Sequence, residues 1–172
     1  MITFISRRMA GAWAAAGLFA LATAPAMALN APKDKPVLTV TGKIGVKNQG
    51  ANAAWDMAML QALPQKTFTT MTPWESQPIK FTGPLLRDVL AAVKASGTNI
   101  KATALNDYRI NIPVADAESQ ELIMAIRMND QPMSVRTKGP IFIVYNFDGK
   151  PELKNTTYYE RSIWQLKSIE VE

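Results

Sequence analysis

The sequence predicts an α+β fold: one domain with a mixed, mostly antiparallel sheet and few helices. About seven segments have the alternating or β-branched pattern of strands, while one clear amphipathic helix and one short helix interrupt them. No internal repeat or low-complexity tract is evident. Removing a predicted leader of 28 residues from the 172 leaves 144. That length suits a single hydrophobic core.

The first 28 residues have the pattern of a secretory signal. Arg7 and Arg8 precede an apolar stretch from Met9 to Ala24, and a small-residue triplet ends at Ala28. The stretch is shorter and richer in alanine than a membrane anchor, and Pro25 interrupts it. We therefore expect cleavage near Ala28 and a periplasmic or secreted protein whose mature chain does not span the membrane. The arginine pair also resembles the start of a twin-arginine signal, so the export route stays open.

Two residue types are missing from the chain. With no cysteine and no histidine, the protein cannot form a disulfide, a zinc site of the usual nitrogen or sulfur kind, a thiolate nucleophile or an imidazole base. Without Arg7 and Arg8, the 19 basic residues fall to 17 against 14 acidic ones, a net charge of +3. These basic residues are scattered, whereas nucleic acid requires a basic face or stripe, so no nucleic-acid partner is predicted.

The first elements follow a polar lead-in. Residues 29–36 contain two prolines and three charged residues, which predicts a flexible segment before the domain at residues 37–172. Val37 to Gly42 alternates apolar residues with threonine, as a half-buried strand does. Asp56 can cap a short helix that ends before Pro64, and Lys66 to Thr72 is β-branched and predicts another strand.

The clearest helix comes after a segment predicted to be a loop, residues 73–83. Pro84 suits the first helical position, and Gly97 suits a left-handed stop. Four apolar residues fall on one helical face: Leu86, Val89, Leu90 and Val93.

The remaining segments predict strands. Residues 100–105 and 108–113 flank a tight corner at Asn106 and Asp107, which are turn formers. Residues 121–133 fit a buried strand or a helix by periodicity alone, and the Asn-Asp pair before Pro132 favours a strand that ends in a turn. Residues 140–150 predict a buried strand that closes on an Asp-Gly turn, and residues 162–172 predict a final strand.

The corner between two of these strands is the first candidate site. Asn106, Asp107, Tyr108 and Arg109 lie together there, where loop residues are often placed for binding. The alternative is a capped turn, with Asp107 bonded to its own backbone and Tyr108 half packed.

A second candidate lies before the Gly-Pro corner. Arg136 and Lys138 could hold a phosphate or carboxylate, because Arg136 offers paired donors and Gly139 lets a ligand approach backbone amides. A solvated strand end explains the same residues equally well.

Trp74 lies in a proline-bracketed loop, where it could form the wall of a pocket or a plug over the core.

The nine methionines are predicted to fill the core, because a copper site would also require His or Cys. Asp and Glu residues are spread singly, so the sequence predicts no calcium loop, no paired acid and base, and no metal site.

Taken in order, these pieces resemble the molybdopterin-binding oxidoreductase domain of the sulfite oxidase family. The resemblance runs from about Val37 to Val171 and depends on the order of several loose motifs: "VLTVTG", "FTGPLLRDVL", "ALNDYRINIP", "RMNDQPMSVRTKGPIFIVY" and "IWQLKSIEV". It implies the mixed-sheet α+β fold of that family. It also implies that Arg136 and Lys138 approach the place where an anionic pterin or an oxyanion lies.

One departure from the family pattern affects the expected function. Catalytic members carry a molybdenum-binding cysteine after the strand that precedes the "G-x-x-L" helix, and here that position falls among Thr70, Met71 and Thr72. None of these can supply a thiolate, and a hydroxyl is a harder, weaker donor for this metal. The resemblance therefore implies a compact relative that has kept the scaffold and lost the redox centre.

The expected function is a non-catalytic binding or accessory protein without a cofactor. Trp74 and Tyr108 would form walls for a small anionic ligand, Arg136, Lys138, Arg109 or Arg161 would supply charge, and Asp107 would orient a donor. The resemblance implies a membrane sensor or receptor as partner. One alternative is an oxidoreductase that binds molybdopterin through its dithiolene alone. A second alternative is a structural subunit whose cleft Trp74 closes.

Overall fold

The computed structural model describes residues 29–172. The predicted signal, residues 1–28, lies outside the described residues. The lead-in at residues 29–36 is attached to the domain, since the backbone N–H groups of Lys33 and Asp34 donate to one carboxylate oxygen of Asp56 at 2.8 and 3.1 Å. Its flexibility stays a prediction.

Strands outnumber helices, in agreement with the predicted class. The strands are β1 Leu38–Gly42, β2 Ala53–Trp55, β3 Gln65–Thr70, β4 Ile79–Pro84, β5 Asn99–Ala104, β6 Arg109–Pro113, β7 Ile123–Ala125, β8 Arg127–Met128, β9 Gln131–Pro132, β10 Phe142–Val144 and β11 Leu166–Val171. The α-helices are α1 Met57–Ala62, α2 Leu86–Ala92, α3 Val114–Ser119 and α4 Thr156–Arg161, with a 3-10 helix at Pro151–Leu153.

The largest sheet has five strands in the order β2-β1-β11-β5-β6. Its central strand β11 pairs in parallel with β1 and antiparallel with β5, while the other pairs are antiparallel. The sheet is therefore mixed and mostly antiparallel, as predicted.

A second sheet has the order β3-β4-β8-β9, and β10 pairs with β7 in a third. The second and third sheets approach closely at Gly83 of β4, where a Cβ atom would lie 2.0 Å from the carbonyl oxygen of Met124 in β7. Glycine is required there because no side chain fits between the two backbones.

The core lies between these sheets and helix α2. The four residues predicted for one face of α2 are all buried, which confirms that prediction. The largest fully buried side chains are aromatic: Trp55, Phe81, Phe142, Tyr145 and Phe147. Met124 and Met133 are buried and Met57, Met59 and Met128 pack against the core, so these methionines are core residues as predicted.

Several local predictions are confirmed. Asp56 accepts the N–H of Met59 at 2.8 Å and caps α1. The corner at Asp107 has a φ of 65°, and Asn129 and Asp130, with φ of 50° and 64°, form the turn that ends β8. The backbone thus takes left-handed conformations at Asn and Asp positions, which tolerate them best after glycine.

Other local predictions are wrong. Pro84 is the last residue of β4, and α2 begins at Leu86 after a cap at Leu85. The left-handed residue after α2 is Lys94, with a φ of 49°, and not Gly97. Gly97 is needed instead for a close approach, since a Cβ there would lie 2.2 Å from the carbonyl oxygen of Glu172.

The sequence also predicts fewer elements, about seven strands and two helices, than the structure contains. Residues 79–83, predicted to lie in a loop, belong to strand β4, which pairs along its whole length with β3. Two helices were predicted and the described residues contain four, because α3 and α4 are six residues each and too short for a periodic pattern. Within residues 29–172, no helix is both long enough and apolar enough to span a bilayer.

Candidate functional site

An open cavity of about 320 Å³ lies at one end of the five-stranded sheet. Its lining comes from three parts of the chain: the loop after β3, the end of β5 with the following corner, and α4 with the segment after it. The lining residues are Trp74, Ala104, Asn106, Tyr108, Tyr159, Glu160, Ser162, Ile163 and Trp164. A cavity of this size is at the low end of the range for small-molecule sites.

Perpendicular aromatic rings form the wall of the cavity. The ring of Trp74 lies 5.2 Å from that of Trp164, at 88°, and 6.2 Å from that of Tyr159, at 75°. The buried ring of Phe142 contacts Trp74 at 6.0 Å and Trp164 at 6.2 Å, so the core supports the wall from below. Edge-to-face contacts of this kind hold rings in fixed orientations. Trp74 is therefore a wall, and it leaves the cavity beside it open.

The corner after β5 contributes Asn106 and Tyr108. The side-chain oxygen of Asn106 accepts the N–H of Tyr108 at 3.2 Å, which fixes the turn. Tyr108 is 45% exposed, and its hydroxyl donates to the carbonyl oxygen of Glu160 at 3.4 Å. This contact joins the corner to α4 across the edge of the cavity.

Asp107 and Arg109, the other two candidates at the corner, do not line the cavity. Asp107 pairs with Lys167 at 2.6 Å, and this contact, followed by the charge of Arg109, lowers the pKa of the Asp107 carboxyl. Arg109 begins β6 and is exposed. Asp107 thus lies in a turn and forms an ion pair on the surface. The turn bond predicted for Asp107 is made by Asn106 instead.

The second candidate group also lies outside the lining. Lys138 pairs with Glu75, and its Nζ lies 5.8 Å from the ring centroid of Trp164. Arg136 is exposed and forms no ion pair within residues 29–172. At Gly139, a Cβ would lie 2.1 Å from the carbonyl oxygen of Met133, so this glycine permits a backbone contact within the protein.

Helix α4 carries a third predicted cation. Arg161 pairs with Asp116 at 2.9 Å, and the buried hydroxyl of Tyr145 donates to the same carboxylate oxygen at 2.8 Å. Burial, together with this bond to Asp116, raises the pKa of Tyr145 far above its ordinary value. The network fixes α4 to α3 and so positions Tyr159 and Glu160 at the cavity.

The charge of the cavity differs from the sequence expectation. Among the described lining residues, Glu160 is the one ionisable acid or base apart from tyrosines, and it forms no ion pair within residues 29–172. The cations predicted to face a ligand are held by carboxylates in two cases, at Lys138 and Arg161.

Thr70, Met71 and Thr72, at the end of β3 and in the loop after it, are the residues that would have to hold a molybdenum cofactor. The hydroxyl of Thr70 accepts the N–H of Asp148 at 2.9 Å, and the N–H of Met71 donates to the Asp148 carboxylate at 2.6 Å. Thr72 is buried and its hydroxyl has no hydrogen-bond partner among the described residues. In residues 29–172, no three His, Cys, Asp or Glu side chains come close enough together to hold a metal. A donor set of two hydroxyls and a thioether does not fit a metal that family members hold by a thiolate.

Sequence reasoning found three of the nine lining residues: Trp74, Asn106 and Tyr108. It missed the α4 side, including Tyr159, Glu160 and Trp164. A signal existed, since Asn155 caps α4 by accepting the N–H of Thr157 at 3.0 Å, and a capping residue before "TTYYER" is visible in the sequence.

Comparisons with known proteins agree with this fold. Residues 32–146, more than half of the chain, match the family model described as "Oxidoreductase molybdopterin binding domain". A search of curated proteins found no match. Among solved structures, the fold is similar to that of the sulfane dehydrogenase SoxCD from Paracoccus pantotrophus, with a TM-score of 0.58 and 12% sequence identity. The match covers 78% of this chain and 37% of that chain, so this chain corresponds to about a third of its length.

Proposed function

The chain belongs to the oxidoreductase molybdopterin binding domain family, and from that premise we propose that it is a non-catalytic ligand-binding member exported to the periplasm. The observation that carries the proposal is the pairing of an open, aromatic-walled cavity with a loop that lacks metal donors. Such a protein would hold a small molecule beside Trp74 and Trp164 without transforming it.

The cavity supports binding because its walls are rigid and apolar while its rim is polar. The Trp74 and Trp164 rings are fixed by Phe142, and Asn106 and Glu160 lie among the lining residues. Small-molecule sites typically combine mostly apolar walls with a few placed polar groups.

The loop at Thr70 supports the loss of catalysis. The Thr70 hydroxyl and the Met71 amide are bonded to Asp148, so these groups stabilise a contact between two loops. No His or Cys exists elsewhere in the sequence to act as a metal ligand in their place.

A panel of ligands tests the binding function. The protein is heated with oxyanions, pterins, organic cations and neutral aromatic compounds, and the melting temperature is recorded. A ligand of the native state stabilises by about 2.7 kcal/mol at a concentration of 100 times its Kd. We expect at least one class to raise the melting temperature of the wild type, with a smaller rise for Trp164→Leu. Glu118→Gln, a change at an exposed residue outside the cavity, serves as the matched control.

The two alternatives give different results. A molybdopterin enzyme would contain about one molybdenum per chain in protein purified from the cell that makes it. A structural subunit would show no rise in melting temperature with any ligand class. Either result would overturn the proposed function.

The anionic ligand predicted from the sequence remains a second candidate. It is supported by Arg136, which is exposed and forms no ion pair within residues 29–172. An anion there would lie outside the cavity, so Arg136→Gln would remove oxyanion binding and Trp164→Leu would not.

Export and partnership are part of the proposal. Export predicts a mature N-terminus at Leu29, which N-terminal sequencing of the purified protein measures.

A membrane sensor or receptor would be the partner that responds to the occupied cavity, and crosslinking in cells with and without the ligand tests this.

A further inference from the structure

The geometry points to a ligand class for the cavity: a small organic cation with an alkylated ammonium group. This inference rests on the proposed binding function. Four aromatic rings line the cavity, and the one charged side chain among its described lining residues is a carboxylate, Glu160.

The aromatic rings favour a cation. The faces of Trp and Tyr rings carry negative potential and attract ammonium groups, most strongly when several rings surround the charge. Trp74, Tyr159 and Trp164 meet at steep angles, so their faces point in different directions and can surround a ligand on more than one side. The cluster already accepts one cation, because Lys138, which is not a lining residue, lies over the ring of Trp164.

Two hydroxyl protons at the cavity are already donated within the protein. The Tyr108 hydroxyl donates to the carbonyl oxygen of Glu160, and the buried Ser162 hydroxyl donates to the carbonyl oxygen of Tyr158 at 2.9 Å. Their oxygens remain as acceptors, and Glu160, which also lines the cavity, carries a carboxylate. Acceptor oxygens and a carboxylate suit a positively charged ligand.

The cationic side chains near the cavity do not make it attractive to an anion. Lys138, Arg161 and Lys167 are each paired with a carboxylate, that of Glu75, Asp116 or Asp107. The charge of Glu160 is therefore left without a counter-ion among the described residues.

The test compares choline with its neutral isostere 3,3-dimethylbutan-1-ol and with sulfate. Protein made from the full-length sequence is titrated with each probe while the indole N–H signals are followed by NMR. We expect choline to shift the signals of Trp74 and Trp164 and to leave that of Trp55, which is buried in β2, unchanged. The isostere should bind at least threefold more weakly, because it has the same shape without the charge.

Two variants assign the effect to this site. Glu160→Gln should weaken choline binding by roughly threefold to fivefold, the effect of one exposed charge, and leave binding of the isostere unchanged. Trp164→Leu should weaken choline binding by roughly tenfold. Glu118→Gln removes an exposed carboxylate outside the cavity and should bind choline like the wild type.

The outcomes separate the cationic ligand class from the proposed binding function. If the isostere or sulfate shifts the indole signals as strongly as choline does, the cationic ligand class is wrong and the binding function stands. If Glu160→Gln and Glu118→Gln weaken choline binding equally, the charge of Glu160 plays no specific part and the inference fails. If no probe and no member of the wider ligand panel binds, both proposals fail.

Discussion

Lys138 and Glu75 form an ion pair in which the two side chains are 15% and 28% exposed, and this pair places a neutralised cation beside Trp164. The pair connects the loop after β3 to the loop before β10. Lys138, which the sequence predicts to bind a ligand, is therefore held in an ion pair within the protein.

Breaking this pair should expose the charge of Lys138. We expect Glu75→Gln to lower the free energy of unfolding by about 1–2 kcal/mol, because a partly buried charge-assisted hydrogen bond is lost. The same variant should bind sulfate more tightly than the wild type, measured by calorimetry. Unchanged sulfate affinity would show that Lys138 cannot reach a ligand even when it is free.

Mutation of Asp116 should lower the free energy of unfolding more than mutation of Glu75. Asp116→Ala removes the acceptor of both Tyr145 and Arg161 and leaves a buried hydroxyl and a largely buried guanidinium without a partner. We expect a loss of about 3 kcal/mol in urea unfolding. Tyr145→Phe leaves the ion pair in place and should cost about 1 kcal/mol. Equal losses in the two variants would contradict the central role of Asp116.

Acid should destabilise the protein through Asp56. Its carboxylate accepts N–H groups from Met59, Asp34 and Lys33, and these bonds, that of Met59 first, lower its pKa below the ordinary 3.8. A lowered folded-state pKa gives stability that is present above the unfolded value and is lost as the pH falls through the folded value. We therefore expect the melting temperature to drop below about pH 3.8.

The variant Asp56→Asn isolates this effect. Asparagine also caps helices well, so α1 keeps its cap while the titrating charge is removed. The variant should melt at a lower temperature than the wild type near neutral pH, and the difference should shrink as the pH falls below 3.8. A constant difference between the two proteins at every pH would rule out Asp56 as the titrating group.

Gly83 should tolerate no side chain. The Cβ of Gly83→Ala would lie 2.0 Å from the Met124 carbonyl oxygen, and both atoms belong to paired backbones that cannot move independently. We expect a loss of about 1–3 kcal/mol from overpacking, measured by urea unfolding. At Gly45 the nearest atom is the Cβ of Lys94 at 3.1 Å, so Gly45→Ala requires a smaller shift and should cost less.

The parts of the fold that were predicted correctly depend on neighbours along the chain. The cap at Asp56, the buried face of α2 and the turn at Asn129 and Asp130 are all set by residues within a few positions of one another. Strand β4 was missed because it carries Gly83 and Pro84, which are unusual in strands, and its pairing with β3 decides its structure.

The candidate site depends on contacts that sequence patterns do not contain. Lys138 meets a carboxylate 63 positions away, and Arg161 meets one 45 positions away. The sequence shows that cations are present but not that they are paired. The contact between Trp74 and Trp164 likewise joins residues far apart in the sequence, and Phe142 contacts both rings.

The central place of β11 has a consequence for how the chain is made. β1 and β5 flank this strand, so the main sheet has a gap in its middle until residue 171 has been synthesised. The nascent polypeptide therefore cannot complete its main sheet until translation is nearly finished.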